Sequence, residues 1–405
     1  MIKINMFQAS YGDTILVTAG TAEKGFSNIL IDCGYNYHLG ILPRLKKLLK
    51  EQTISRFIIT HYDSDHIKNA GSFLKDNGLN ENPQIAKIEQ IWLNTFRHLQ
   101  FYKREKVDLN KDQKREINQL LHDISSSIKK ENNIGNIGAQ QASLLGKAIL
   151  AGNYQWNTDT NGEAVCLENL KDVSIDTNIK LYLLSPAKKR LENLEMEFVA
   201  KLSKLGLHPN NDEIFDDAFE LLNLSNNKNA SSQGNIASVK KTVNSNTIKL
   251  FSQGKNYLKD DRIGNGSSIS FIFEAENKKV LFLADAFAED IIEELKDKYP
   301  DNSDYPIFFD AVKISHHGSF RNNSPELFKI IDSDIFLFST NGKHPTHTHP
   351  DVETISCIIN RDLPAKVKSR TLVFNYVLEH LKDFSSDELK AEFKYDIKIQ
   401  SETLI

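Results

Sequence analysis

Within His61-Tyr62-Asp63-Ser64-Asp65-His66, four side chains able to bind a metal ion fall in six residues, directly after the apolar run Phe57-Ile58-Ile59. Two imidazoles and two carboxylates at that density are the donors that a two-metal hydrolytic site requires. Side chains two apart on extended chain point to the same side, so His61 and Asp63 can share one ion. Asp65 and His66, beyond a turn, can then serve a neighbouring ion. The competing explanation is a polar turn in which Asp63 or Asp65 caps a helix beginning near Ile67. Capping uses one Asp at most and leaves both histidines without a purpose.

Two later segments offer matching donors. Asp285 follows the apolar run Val280-Leu281-Phe282-Leu283, so it is expected at a strand end, where its two oxygens can bridge two cations. A cap for a helix from Phe287 onward is its alternative role. His316 and His317 follow a strand over 310–315, and adjacent residues on extended chain face opposite ways. His316 is therefore expected as the metal ligand, with His317 supporting the site or touching substrate. His344 and His347 are expected to be ordinary loop histidines.

His61-x-Asp63-x-Asp65-His66 resembles the His-x-His-x-Asp-His signature of the metallo-β-lactamase fold, in the variant where Asp replaces the second His. That variant is similar to the soluble hydrolase domain of the DNA-uptake channel protein ComEC. Phe7-Gln8-Ala9-Ser10-Tyr11-Gly12-Asp13-Thr14, Ile29-Leu30-Ile31-Asp32-Cys33-Gly34, Asn265-Gly266-Ser267-Ser268, Leu281-Phe282-Leu283-Ala284-Asp285, His316-His317-Gly318-Ser319 and His349-Pro350 resemble further family elements in the family's order. The match covers residues 1–95 and 245–375. It implies an α/β fold, an αββα sandwich, with metal ligands His61, Asp63, Asp65, His66, Asp285 and at least one of His316 and His317, and two divalent ions, zinc or manganese. Asp65 would also orient the attacking hydroxide. His349 would complete one metal position, orient a phosphate oxygen or protonate the leaving group. Ala284 stands where the family usually has Gly, a change tolerated if the backbone there needs no positive φ. Many relatives supply a His before the bridging Asp, where this chain offers Asn265, Ser267 and Ser268, leaving one metal position short of a ligand.

Composition fits a soluble enzyme. A formal charge of −4 over 405 residues excludes a coat of basic charge for indiscriminate nucleic-acid binding, though not a local basic groove. Cys33, Cys166 and Cys357 are too scattered for a disulfide framework or a cysteine zinc knuckle, so the expected compartment is the reducing cytoplasm. No apolar run reaches membrane-spanning length, and the N-terminus lacks a secretory pattern.

The donors need rigid elements to aim them. Alternating or β-rich runs predict strands over 2–7, 14–18, 28–32 and 88–93, and helical spacing predicts helices over 39–49 and 67–75. Residues 1–95 and 246–405 are read as two halves of a hydrolase core, separated by a largely helical insertion over 96–245. Helices are predicted there over 111–130, 139–150, 192–205 and 213–222, a core strand over 181–184, and a disordered-like loop over 223–235. The insertion would wall the site or dock a protein partner. Residues 97–131 carry nine Lys or Arg against six acids, and 236–262 six against two, excesses better explained by solvated faces than by a phosphate path.

The expected activity is that of a dinuclear metal-dependent phosphodiesterase acting on nucleic acid. A small phosphodiester such as a cyclic nucleotide or a phosphocholine ester is the alternative substrate, and an inactive sensing or scaffolding subunit the alternative class.

Overall fold

Apolar residues at every second position fold the N-terminal segment into an antiparallel meander of β1 (Ile2–Met6), β2 (Ile15–Thr21) and β3 (Gly25–Ile31). β4 (Ile54–Ile58) and the short β5 (Ile91–Trp92) add in parallel. A second sheet contains β6 (Asp172–Ser174), β7 (Ile179–Ser185), β8 (Ser270–Ala275), β9 (Lys278–Phe282), β11 (Ala311–Lys313), β13 (Ile335–Phe338), β14 (Arg370–Phe374) and β15 (Tyr395–Ile399). β10 (Ile307–Phe309) and β12 (Ile331–Ser333) form a separate parallel pair, and β16 (Glu402–Leu404) returns to the edge of β1. The six-stranded order is β16-β1-β2-β3-β4-β5 and the eight-stranded order β15-β14-β13-β11-β9-β8-β7-β6. The computed structural model describes residues 1–21, 25–50, 52–102, 109–131, 144–176, 179–210, 213–226, 241–301, 305–364 and 367–405.

The chain is thus mixed α/β, and strand alternation sorts its apolar residues. Ile15, Val17, Ile29 and Ile31 of one sheet meet Phe271, Phe273, Val280 and Phe282 of the other in a shared buried cluster. Leu16 and Leu30 point the opposite way, into a cluster with Leu45, Phe73, Leu191, Phe198 and Phe219. Ile272 and Leu281 likewise join Ile291, Leu295, Ile355 and Ile358 on the second sheet's other side. Because both faces of these strands are covered, they read as continuous apolar runs.

Segment 96–245 combines helices Lys111–Glu131, Leu145–Ala151, Lys188–Lys204 and Ile214–Asn226 with β6 and β7. β7 pairs with β8, so the strand predicted over 181–184 is integral to the second sheet. Of the loop predicted over 223–235, residues 223–226 finish a helix and the rest lies outside the described residues, as do 139–143 of the helix predicted over 139–150. Where 67–75 was expected to form one helix, there are two, Ser64–Ile67 and Ala70–Asn77. Among the described residues, no helix is long and apolar enough to cross a membrane.

Candidate metal centre

The segment 61–66 leaves the end of β4 and is clasped by two neighbouring loops. Asp13 N–H donates to Asp65 O at 3.1 Å, and Cys33 N–H to His66 O at 2.8 Å. The approach is so close that a Cβ at Gly12 or Gly34 would lie 2.0 or 2.2 Å from Asp65 O, which accounts for both glycines. Tyr62 points the other way and meets Phe219 edge-on at 4.9 Å, so a helix of the 96–245 segment buttresses the loop from behind. Asp63 occupies the N-cap position of Ser64–Ile67, but its side chain makes no capping bond. The helix Ala288–Lys298 is preceded by Phe287 at its cap, so Asp285 is no cap either.

Three imidazoles share one arrangement. His66 Nδ1 lies 2.8 Å from Asp32 Oδ2, His61 Nδ1 3.0 Å from Thr60 Oγ1, and His317 Nδ1 2.7 Å from the Ser339 carbonyl. Each ring is thereby fixed from outside while its Nε2 faces the carboxylates, the arrangement by which outer partners orient metal-binding histidines. His61 Nε2 is 3.9 Å from Asp63 Oδ2 and 3.8 Å from Asp285 Oδ2. His66 Nε2 is 3.4 Å from Asp285 Oδ1, and His317 Nε2 3.0 Å from Asp65 Oδ2. Asp285, at the end of β9, therefore turns a different oxygen to each side.

The donor set fits divalent cations. Potential ligand atoms of His61, His66 and Asp285, and of Asp65, His66 and His317, lie within 4.8 Å of one another, the crowding that bonds of about 2.0–2.3 Å to one ion require. Among the described residues, His61 Nε2, His66 Nε2 and Asp285 Oδ1 are buried without a hydrogen-bond partner. Orphaned polar atoms cost free energy unless a further group satisfies them. Burial alone would raise the Asp65 and Asp285 carboxyls, but neighbouring imidazoles, His66 foremost, hold both below the usual range. Burial dominates at Asp63 and raises it, against His61 and Arg262.

The histidine pair departs from the sequence argument. His316 and His317 are not extended: their φ angles are +44° and +53°, so alternation does not apply and both rings enter the site region. His317 meets Asp65, whereas both nitrogens of His316, expected as the ligand, have protein partners: Asn322 Oδ1 on Nδ1 at 2.8 Å and the Arg262 guanidinium on Nε2 at 2.8 Å. His316 Nε2 also lies 3.6 Å from Asp285. Ala284 has φ +45°, so the position does need the left-handed conformation that glycine favours, and its carbonyl accepts from His316 N–H at 2.8 Å.

His349 Nδ1 lies 3.5 Å from Asp351 Oδ2, and His349 forms a further potential metal-binding group with His316 and His347. Its ring packs 5.3 Å from His316 and 4.4 Å from His347, and His347 stacks on His344 at 3.7 Å. The loop histidines thus form a wall beside the centre. Residues that sequence reasoning passed over include Asp32, Arg262, Asp260 and Asn322. Asp32 had a signal, the Asp-x-Gly after a strand; the others had none. Basic residues of 236–262 are partly engaged in ion pairs, Lys241 with Glu353 and Lys249 with Glu392. No protein-family model matches the sequence, and neither does any curated protein.

Proposed function

We propose that the chain is a metal-dependent phosphodiesterase of the metallo-β-lactamase type, an αββα sandwich holding two divalent cations, zinc or manganese, and acting on nucleic acid. The observation that carries the reading is the set of three imidazoles anchored through Nδ1, with the Nε2 atoms of His61 and His66 buried and unpartnered beside Asp285. His61, Asp63 and Asp285 would hold one ion; Asp65, His66, His317 and the other Asp285 oxygen would hold the second. Bound there, the cations would supply an activated hydroxide at neutral pH and neutralise charge on a phosphate. Four carboxylate oxygens, from Asp63, Asp65 and both sides of Asp285, against three imidazole nitrogens would leave the set oxygen-rich, which brings manganese into competition with zinc.

The chain's own groups supply the rest. Asp65, kept ionised by His66 and His317, can accept a proton from the attacking water and orient it. His349, beyond His316, is the group available to return a proton to the leaving oxygen. The facing sheets with helices outside them support the fold assignment, and nucleic acid as substrate follows from the resemblance to DNA-uptake hydrolase domains.

The test is turnover of single-stranded DNA, double-stranded DNA, RNA and bis(4-nitrophenyl) phosphate by zinc- and manganese-loaded protein, beside Asp65→Ala and Asp285→Ala. Both variants should fold and lose more than about a hundredfold in rate, beyond the 10- to 100-fold range of losing an outer partner. Equal turnover by wild type and variants would defeat the proposal.

A further inference from the structure

Arg262 projects into the centre from just before Asn265-Gly266-Ser267-Ser268, outside the motif residues themselves. Its guanidinium carries five N–H donors, yet among the described residues His316 Nε2 is its one hydrogen-bond acceptor, at 2.8 Å. The Asp260 carboxylate stays 3.9 Å from Arg262 Nε because its oxygens are already filled. Asn265 and Asn322 donate to Oδ2 at 2.5 and 3.0 Å, and the backbone N–H groups of Asp261 and Arg262 donate to Oδ1 at 2.9 and 3.3 Å.

The pose is built rather than incidental. Asn322 is fully buried; it donates to Asp260 and accepts from His316 Nδ1–H at 2.8 Å. That contact fixes the tautomer in which His316 Nε2 is the acceptor facing Arg262. Asp260, Asn322 and His316 are each less than 10 % exposed, whereas 37 % of the Arg262 side chain is open to solvent. A buried polar relay therefore holds a reachable cation, with donors to spare, beside Asn265. A flexible surface arginine needs no such support.

We propose that Arg262 binds a non-bridging oxygen of the substrate phosphate, with His316 and Asn322 as its positioning residues. The inference rests on the phosphodiesterase reading. A planar fork matches two phosphate oxygens, which an ammonium cannot do.

The test uses inorganic phosphate as probe, by calorimetric titration into the metal-loaded full chain, with metal content measured by atomic emission on the same samples. Arg262→Gln should keep the wild-type metal content and bind phosphate about 10- to 100-fold more weakly, as expected for losing a charged hydrogen bond. Arg262→Lys should recover part of that loss, and His316→Gln should weaken phosphate binding with metal retained. Unchanged phosphate affinity in Arg262→Gln overturns the proposal. So does an added metal equivalent in Arg262→Gln, which would make the guanidinium a stand-in for a cation, or a lost one in His316→Gln, which would make His316 a ligand. Wild-type protein that takes up no metal would instead remove the phosphodiesterase reading itself.

Discussion

Asp32 shows how much of the candidate centre depends on side chains outside it. Its carboxylate accepts from Thr60 N–H at 2.8 Å, Thr60 Oγ1 at 2.9 Å and His66 Nδ1 at 2.8 Å, so one buried residue fixes both the start of the loop and a ring within it. Asp32→Asn keeps the shape and removes the charge behind His66; metal affinity, measured by chelator competition, should fall about 10-fold or more. Unaltered affinity would show that the His66 ring is held by packing alone. Ala284 is the converse case, a residue at φ +45° where glycine would be unstrained. Ala284→Gly should stabilise the fold by up to about 1 kcal/mol in urea unfolding, and a lower urea midpoint would contradict the strain assigned there.

Among the elements, the helix Ile214–Asn226 links the 96–245 segment to the centre. Phe219 packs on Tyr62, and on the same helix Glu220 accepts the Leu145 N–H at 2.7 Å. Burial, helped by the nearby Asp217 and Asp216 carboxylates, pushes Glu220 up to about 8 from an ordinary 4.5. A raised acid binds its proton more tightly folded than unfolded, so its stabilising share is complete below about 4.5 and is lost as pH rises towards 8. Glu220→Gln, which keeps an acceptor for Leu145, should raise Tm at pH 8 relative to wild type and leave it nearly unchanged at pH 4.5. A pH-independent difference would mean that Glu220 is ionised in the fold.

At the scale of the whole molecule, the two sheets are joined beside the centre by a buried ion pair. Lys313, on β11, reaches Asp13, after β1, at 2.8 Å, and the two side chains are only 2 % and 3 % exposed. Lys313→Met would strand the carboxylate, and such losses cost about 3–5 kcal/mol. The double variant with Asp13→Asn should recover part of that loss in the same unfolding measurement; a double variant no better than the single one would show that lost packing, not the stranded charge, is responsible.

The sequence by itself determined that His61, Asp63, Asp65 and His66 lie together, since they are local and any strand-turn-helix path keeps them close. It also determined β1, β2, β3, β7 and β9, because apolar alternation and burial are read from neighbours along the chain. Tertiary structure alone decided which partners His316 and His317 meet, because their left-handed backbone breaks the extended-chain rule. It alone decided the posts of Arg262 and Asn322, and which ring Asp32 holds. Asp32 reaches His66 from 34 residues away and Asn322 reaches Asp260 across 62, and pairings between loops of different strands leave no periodic trace in the order of residues.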